Sequence, residues 1–556
     1  MKDTLKRDWL YLLLIVGLAC LTFMQVRLFR FGFFTAYDEA YFLLKLQEAY
    51  DMSCITGKSQ WNLIAIHWFP YLDLTSKVCS ALAASILIWV SIIAVTTTSC
   101  ILFDKNRVIK YFALTWLFMF GLGDSLQYVS MQTAVLSWAL CSFMLFFKSS
   151  ITWHKCIYAI FCGVCLGFSL FIILPASIAL LLCVTLLIVL AYRSDCRKML
   201  LYISSGVSGV LLSCLYVHFI VCPLDDIIEA MLFTATYIGK SGYRYDGMSF
   251  ILQYGLFFRD CLFVVLAFVG AFWLSMRINN RWIGCISYVA MMLIYMHYQV
   301  KPSISPSMCM MSIPLLPFFF EYLPEFKFAD LKKVGTWLYL FIFTYPFIAS
   351  LGTNTALGGR IGCFLVAWLF IWFELDCKHL NNNFERVYLA IIILFALPLL
   401  NTIKDYRSRD DSFHFTRGNK YFAEISLTKK QADYFNSVYD ILEKYNYKPK
   451  QSVVLTAAFD YCCLYAFDAV NAANYHQVQN FHYFPKDKMI KPDFIFMCKW
   501  DSIVMAKELI DMQWGWPEEF DEYYVGTPEP DDAAWVINYE MENRKLYCRK
   551  SQKQSY

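Results

Sequence analysis

Two acidic residues side by side, Asp38 and Glu39, follow the end of an apolar run of membrane-spanning length by only a few residues. Carboxylates so close to a bilayer edge are costly unless they are solvated, paired or put to use. Such a pair suits proton removal or cation binding. A plainer role is local: Asp38 as the N-cap of a helix, with Glu39 in its first turn where the helix dipole favours negative charge. The two roles are compatible. Ala40, Leu43, Leu44 and Gln47 recur at helical spacing, which predicts a helix over 39–50 lying along the membrane surface. The same loop closes on His67, Trp68, Phe69, Pro70, Tyr71 and Leu72, just before the next apolar run. Asp124, in GLGDSLQY, stands at the end of a later run, where a loop acid or helix cap is the simplest reading.

The elements that must position these residues are spans of a membrane. The 556 residues are 59% hydrophobic and 17% charged, against about 25% charged in an ordinary globular protein. The deficit is uneven: 43 of the 154 residues in 403–556 are charged (28%), against 12% of the first 402. That split excludes a soluble multidomain enzyme and a disordered or collagenous chain. The net charge of +4 is too small for this size to suggest nucleic acid. A spanning helix needs about 20 largely apolar residues. Reading in that window gives thirteen runs: 9–29, 76–98, 111–127, 131–147, 157–174, 176–191, 200–222, 251–275, 282–298, 307–323, 334–351, 361–375 and 387–402. Pro175 breaks 157–191 into a hairpin. The first run is no cleaved signal peptide, being long, without a small-residue cleavage site and ending in Arg27 and Arg30.

Lys and Arg in short loops set orientation. With the N-terminus cytoplasmic, the loops 103–110, 148–155, 192–199, 276–281, 324–333 and 376–386 join it, and every one is basic. The opposite set, 30–75, 223–250, 299–306 and 352–360, is mixed in sign, and an odd span count puts the charged tail on the outer face. The expected fold is therefore a membrane all-α bundle of about 13 transmembrane helices over 1–402, followed by an outer soluble α/β domain over 403–556. In the tail, Ala432, Phe435, Val438 and Leu442 form one stripe of a helix behind a Thr cap at 428–446. Strands are expected at 452–457 and 493–498, and the acidic stretch 517–532 reads as loop. No Gly-rich phosphate loop occurs there, so the tail is expected to shape acceptor access and not to carry the chemistry. His476 and His482 are too loosely spaced for zinc.

Most of the 21 cysteines sit in apolar runs. Cys162 and Cys165 spell C-x-x-C without a polar partner and read as packing. Cys462, Cys463, Cys498 and Cys548 could pair only in an oxidising compartment.

An acidic pair after the first span, an amphipathic loop, then a His–Pro element before the second span resembles the integral-membrane glycosyltransferases of the GT-C class. The resemblance is nearest to the protein O-mannosyltransferase and lipid A aminoarabinose transferase group. The pair is Asp38-Glu39; the second motif, from His67 to Leu72, departs from the family's H-P-P-L pattern. The hairpin CGVCLGFSLFIILPASIALLL resembles the family's Gly-rich fifth and sixth spans but lacks their Lys-Gly, so no role is carried onto it. The motifs cover residues 35–72; elsewhere the likeness is architectural.

The resemblance implies transfer of a sugar from a polyprenyl-phosphate donor to a glycan, lipid or protein acceptor at the outer face, by an inverting GT-C route. Asp38 would be the base, with Glu39 orienting it or acting as an alternate, and Asp124 a second acid. The lipid-phosphate leaving group needs fixed cations. Lys301 in HYQVKPSISP is the first candidate; Lys240 and Arg244 in IGKSGYRYDG and Arg360 in LGGRIG are others, and interfacial snorkelling is the competing role of each. The loop 237–247 would be a lid. His67 would orient a carboxylate or donate to phosphate, if it is not simply a satisfied buried His. No cofactor is required by the sequence; a divalent cation, if used, would sit among Asp38, Glu39, Asp124 and His67. The absence of any N-x-S/T sequon favours a bacterial inner membrane with a periplasmic tail. A transporter or lipid flippase would account for the spans, but with charges mid-span or broken helices. A polysaccharide polymerase would show an Arg-rich outer loop, and a membrane acyltransferase a mid-span His; His218 is the one such His and lacks a supporting motif.

Overall fold

The computed structural model describes residues 2–29, 38–50, 60–123, 125–229, 333–351, 357–378, 413–456, 461–472, 490–497, 512–525 and 545–553, together with isolated residues between 232 and 290 and residue 510. Its helices are α1 (Lys2–Leu28), α2 (Asp38–Tyr50), α3 (Gln60–Trp68), α4 (Lys77–Leu102), α5 (Val108–Met119), α6 (Tyr128–Lys148), α7 (Thr152–Leu170), α8 (Leu174–Tyr192) and α9 (Cys196–Tyr216), the last running on into a π turn at Val217–Val221. After an interval come α10 (Val334–Ala349), α11 (Leu357–Gly362) and α12 (Val366–Lys378).

Among the described residues, six helices are long and apolar enough to cross a membrane: Asp8–Arg27, Lys77–Leu102, Tyr128–Lys148, Thr152–Leu170, Leu174–Tyr192 and Cys196–Val221. The chain is an integral membrane protein. The α7/α8 break falls where expected, with Pro175 in the first turn of α8, a position that needs no N–H. The run expected over 111–127 is different. Helix α5 starts earlier and stops at Met119, because Gly121 takes a left-handed φ of +83° and the chain turns at 120–123. The runs expected at 251–275, 282–298, 307–323 and 387–402 lie largely or wholly outside the described residues.

Close helix packing rests on glycine at α7 and α9. A Cβ at Gly163 would lie 2.1 Å from the Gly206 carbonyl oxygen, and one at Gly209 would lie 2.1 Å from the Ile160 carbonyl oxygen. Small residues that let backbones meet are how helices associate in lipid, where burial of apolar surface gives no advantage. Cys162 and Cys165 are free and buried in this core, in keeping with packing.

The loops fall on two faces. Lys148 Nζ at the end of α6 donates to the Leu102 carbonyl at the end of α4 (3.3 Å), and Lys155 in the first turn of α7 donates to the Tyr192 hydroxyl at the end of α8 (2.5 Å). The turns at 103–107, 149–151 and 193–195 therefore share one face. On the opposite face the α5–α6 loop is stitched to the start of α4, by Ser85 Oγ to the Gly123 carbonyl (3.1 Å) and Leu126 N–H to Ser80 Oγ (3.3 Å).

The C-terminal part forms a five-stranded mixed sheet. Its strands are β1 (Val453–Thr456), β2 (Val470–Asn471), β3 (Phe494–Met497), β4 (Phe520–Tyr524) and β5 (Lys545–Arg549), in the order β2-β1-β3-β5-β4. Strand β1 pairs in parallel with β2 and β3; β5 runs antiparallel to β3 and β4. Helices α13 (Lys429–Lys444) and α14 (Tyr461–Phe467) accompany it. Thr428 caps α13 as expected, its side chain accepting from Gln431 N–H while Gln431 reaches back to Thr428 N–H. One expectation fails: residues 520–524 are an edge strand and not loop. Asp521 and Glu522 made the segment look like loop, yet charges on an edge strand are a common guard against edge-to-edge pairing. Cys462, Cys463 and Cys548 are buried free thiols.

Candidate functional site

Asp38 and Glu39 are the first two residues of α2, so the acidic pair opens that helix at the positive end of its dipole. The helix is apolar on two faces. Ala40, Leu43 and Leu44 belong to the same core as Phe415, Phe435 and Tyr465 of the sheet-bearing part. Phe42 and Leu46 belong to the core of the transmembrane bundle. Phe42 lies 5.9 Å from the Trp61 ring and 5.9 Å from the Tyr128 ring, centroid to centroid. Asn62 of α3 ties the two helices together by donating to the Lys45 carbonyl (2.8 Å). Helix α2, expected to lie along the membrane surface over 39–50, is wedged between two protein cores.

The other end of this loop is held by the same C-terminal part. The Tyr465 hydroxyl donates to the Thr75 carbonyl (2.5 Å, buried), and the Tyr421 hydroxyl donates to the Asp73 carboxylate. Asp73 also accepts from Thr75 N–H (3.2 Å) and the Thr75 hydroxyl (2.5 Å), closing the turn that leads into α4. Burial first, and then the negative charge at Asp73, push the Tyr465 phenol well above its ordinary pKa, so it stays a donor. Sequence reasoning passed over Asp73 and Thr75. Their signal was the Asp-x-Thr-Ser turn ahead of an apolar helix.

His67 sits in the last turn of α3, half-buried, with Nδ1 2.8 Å from the Leu63 carbonyl oxygen. A carbonyl can only accept, so Nδ1 carries the proton, and Nε2 of the neutral ring is left as an acceptor. Donation to a phosphate would require the imidazolium. His218 is also accounted for structurally: its Nδ1 accepts from Leu224 N–H (3.1 Å) just past the π turn.

Arg360, in α11, is 3% exposed. It donates from Nη2 to Gln132 Oε1 of α6, and Gln132 in turn donates to the Ala349 carbonyl at the end of α10 (3.1 Å). The guanidinium lies 5.0 Å from the Tyr128 ring centroid and 5.7 Å from that of Phe364. Its Nε has no hydrogen-bond partner, and among the described residues no carboxylate pairs with it. The Tyr128 ring thus neighbours both Arg360 and Phe42 of α2. Asp38 precedes Phe42 by one helical turn, about 6 Å along the axis.

Of the expected site residues, the fold brings Arg360 and the helix that begins with Asp38 and Glu39 to one place, with His67 on the helix next to it. The side chains of Asp38 and Glu39 lie outside the described residues, as do Asp124, Lys240, Arg244 and Lys301. Gly123 and Leu126, which flank Asp124, are anchored on the face where α2 docks. Among the described residues no three His, Cys, Asp or Glu gather as a metal site. If a divalent ion is held, Asp38, Glu39, Asp124 and His67 are the groups with the donor chemistry for it.

No protein-family model matches the chain, and no curated protein matches it. Two solved structures resemble it along most of its length. The Archaeoglobus fulgidus oligosaccharyltransferase in the apo form is 12% identical, with a TM-score of 0.45 over 93% of this chain and 73% of that one. ArnT from Cupriavidus metallidurans in the apo state is 11% identical, with a TM-score of 0.48 over 98% of this chain and 99% of that one.

Proposed function

We propose that this chain is an integral-membrane glycosyltransferase that moves a sugar from a polyprenyl-phosphate donor to a hydroxyl-bearing glycan, lipid or protein acceptor. The observation that carries the reading is the pairing of α2, which begins with Asp38 and Glu39, with a buried Arg360 that lacks an acidic partner among the described residues. A buried cation is expensive unless negative charge faces it, and an anionic substrate is one group that would supply that charge.

In this reading Asp38 takes the proton of the acceptor hydroxyl as that oxygen attacks the anomeric carbon. The new glycosidic C–O bond forms while the C–O bond to the phosphate breaks, and the electron pair leaves on the polyprenyl phosphate. A single displacement of this kind inverts the anomeric centre. Arg360 would hold the developing phosphate charge, supported by Lys301 and by Arg244 or Lys240. Glu39 and Asp124 would orient the base or the acceptor, and His67 Nε2 would accept from a substrate hydroxyl. The acidic pair would work on the outer face, with the N-terminus cytoplasmic, residues 403–556 as a periplasmic domain, and a bacterial inner membrane as the setting.

The test is sugar transfer from a labelled polyprenyl-phosphate donor by reconstituted Arg360→Ala and Arg360→Lys. Loss of one oxyanion donor costs on the order of 100-fold or more in kcat. Arg360→Ala should show that loss and Arg360→Lys should recover part of it. Equal activity in both variants and the parent would remove Arg360 from the site.

A further inference from the structure

We propose that the face of the bundle opposite α2 carries a binding site for one anionic phospholipid, with its phosphate on Lys155 and one acyl chain in the cleft between α8 and α9. This site stands apart from the proposed chemistry. Helix α6 runs from Tyr128, beside Arg360, to Phe146, at the cleft, which is about 27 Å at the α-helical rise.

The cleft encloses a cavity of about 60 Å³ and is walled by Phe146, Tyr158, Cys162, Thr185, Tyr202 and Val207, among others. Its mouth opens outward between α8 and α9, where Thr185 and Val207 are exposed. Its back is the close α7/α9 contact where Gly163 meets the Gly206 carbonyl. Gly206 faces open space instead: a Cβ there would meet nothing closer than the Ala159 carbonyl oxygen, at 3.9 Å. An apolar cleft in helices of membrane-spanning length does not hold water, and the molecules beside it are lipid chains.

At the loop end the cleft is roofed by rings. Tyr192 and Tyr202 lie 4.8 Å apart, and Phe146 meets Tyr202 edge-on at 5.1 Å. The Lys155 ammonium sits above this roof, 5.4 Å from the Phe146 centroid and 5.2 Å from that of Tyr192, and donates to the Tyr192 hydroxyl. The Phe146 ring is thus wall to the cleft and floor to the cation. The segments 148–155 and 192–199 on this face also carry Lys148, Arg193, Arg197 and Lys198, with Asp195 as their one acid. Asp195 is already engaged, capping α9 and pairing with Lys198 (3.1 Å). Lys155 has no carboxylate partner among the described residues. A basic rim over an apolar slot between helices matches a lipid with a negatively charged headgroup, and basic pockets between spans are where such headgroups bind.

The experiment reconstitutes the full chain into phosphatidylcholine vesicles containing a minor fraction of phosphatidylglycerol, re-extracts it in mild detergent, and counts retained lipids by mass spectrometry. The retained ratio of phosphatidylglycerol to phosphatidylcholine should exceed that of the vesicles. Lys155→Ala should lower this enrichment about fivefold, the factor for one lysine at an anionic surface, and Lys155→Arg should keep it. Gly206→Leu should also lower it, by putting a better helix former into the cleft at a position where a Cβ meets nothing closer than 3.9 Å. Size-exclusion elution identical to the parent would show that both variants are folded. A retained ratio equal to that of the vesicles, or no change in either variant, overturns the proposal. So does full displacement of phosphatidylglycerol by polyprenyl phosphate doped into the same vesicles, which would assign the cleft to the donor lipid. Displacement by inorganic phosphate with Gly206→Leu silent would make it a free-anion site and equally overturn it.

Discussion

Removing one hydroxyl from the C-terminal part should loosen the helix that begins with the acidic pair. Tyr465 is fully buried, and its phenol donates to the Thr75 carbonyl across the junction between α14 and the loop entering α4. Helix α14 also packs on Ala40, Leu43 and Leu44 of α2 through the shared core. Tyr465→Phe keeps the ring and deletes only the bond. Loss of a buried hydrogen bond costs about 1–3 kcal/mol, which multiplies the population of an undocked state about 5- to 150-fold. Hydrogen exchange by mass spectrometry on reconstituted protein reads that population directly. The peptide covering 42–47 should exchange faster by that factor, and so should the peptide covering 69–76. A peptide from the middle of α6, which makes none of these contacts, should be unaffected. If 461–467 exchanges faster while 42–47 keeps its protection, α2 is held by the bundle alone and the reasoning fails. If neither changes, the Tyr465 bond contributes nothing measurable.

Three further outcomes follow. Gly163→Leu should abolish folded expression, since its Cβ would lie 2.1 Å from the Gly206 carbonyl oxygen, whereas Gly206→Ala should express normally; fluorescence-detected size exclusion compares them. The Asp521 carboxylate, held below its ordinary pKa by the Tyr445 hydroxyl and then by Lys553, has a folded value lower than its unfolded one, so its contribution is present above the ordinary Asp value and is lost as pH falls from there through the lower, folded value. Exchange of the β4 and β5 peptides should therefore rise on acidification, and Asp521→Asn should flatten that rise. Arg417→Ala removes the two ion pairs to Asp440 (2.5 Å) and Glu443 (2.6 Å); these are partly exposed, so α13 protection should fall by less than it does in Phe435→Ala, where a buried ring is lost.

What could be read from the sequence was what local chemistry decides. Thr428 with Gln431 three residues on specifies a capping box, and Pro175 is best placed in a first helical turn, so α13 and the α7/α8 break fell where spacing put them. Runs of twenty apolar residues have one stable arrangement in lipid, which made most described spans legible. The end of α5 was hidden because apolar character continues past Met119 while Gly121 turns the backbone away. Strand β4 was hidden because its acids resemble a loop. Helix α2 was half legible: Ala40, Leu43 and Leu44 gave one face, but the i, i+4 pair Phe42 and Leu46 on the other was not weighed, so the second partner was missed. The meeting of Arg360 with Gln132, 228 positions apart, is a property of packing that no spacing encodes.

The account stands most directly on Asp38. Asp38→Asn keeps shape and helix start while removing the base, and general-base loss costs on the order of 10²- to 10⁴-fold. With a labelled polyprenyl-phosphate sugar donor and reconstituted protein that elutes as the parent does, the account predicts transfer reduced to near background. Transfer at the parent rate would contradict it.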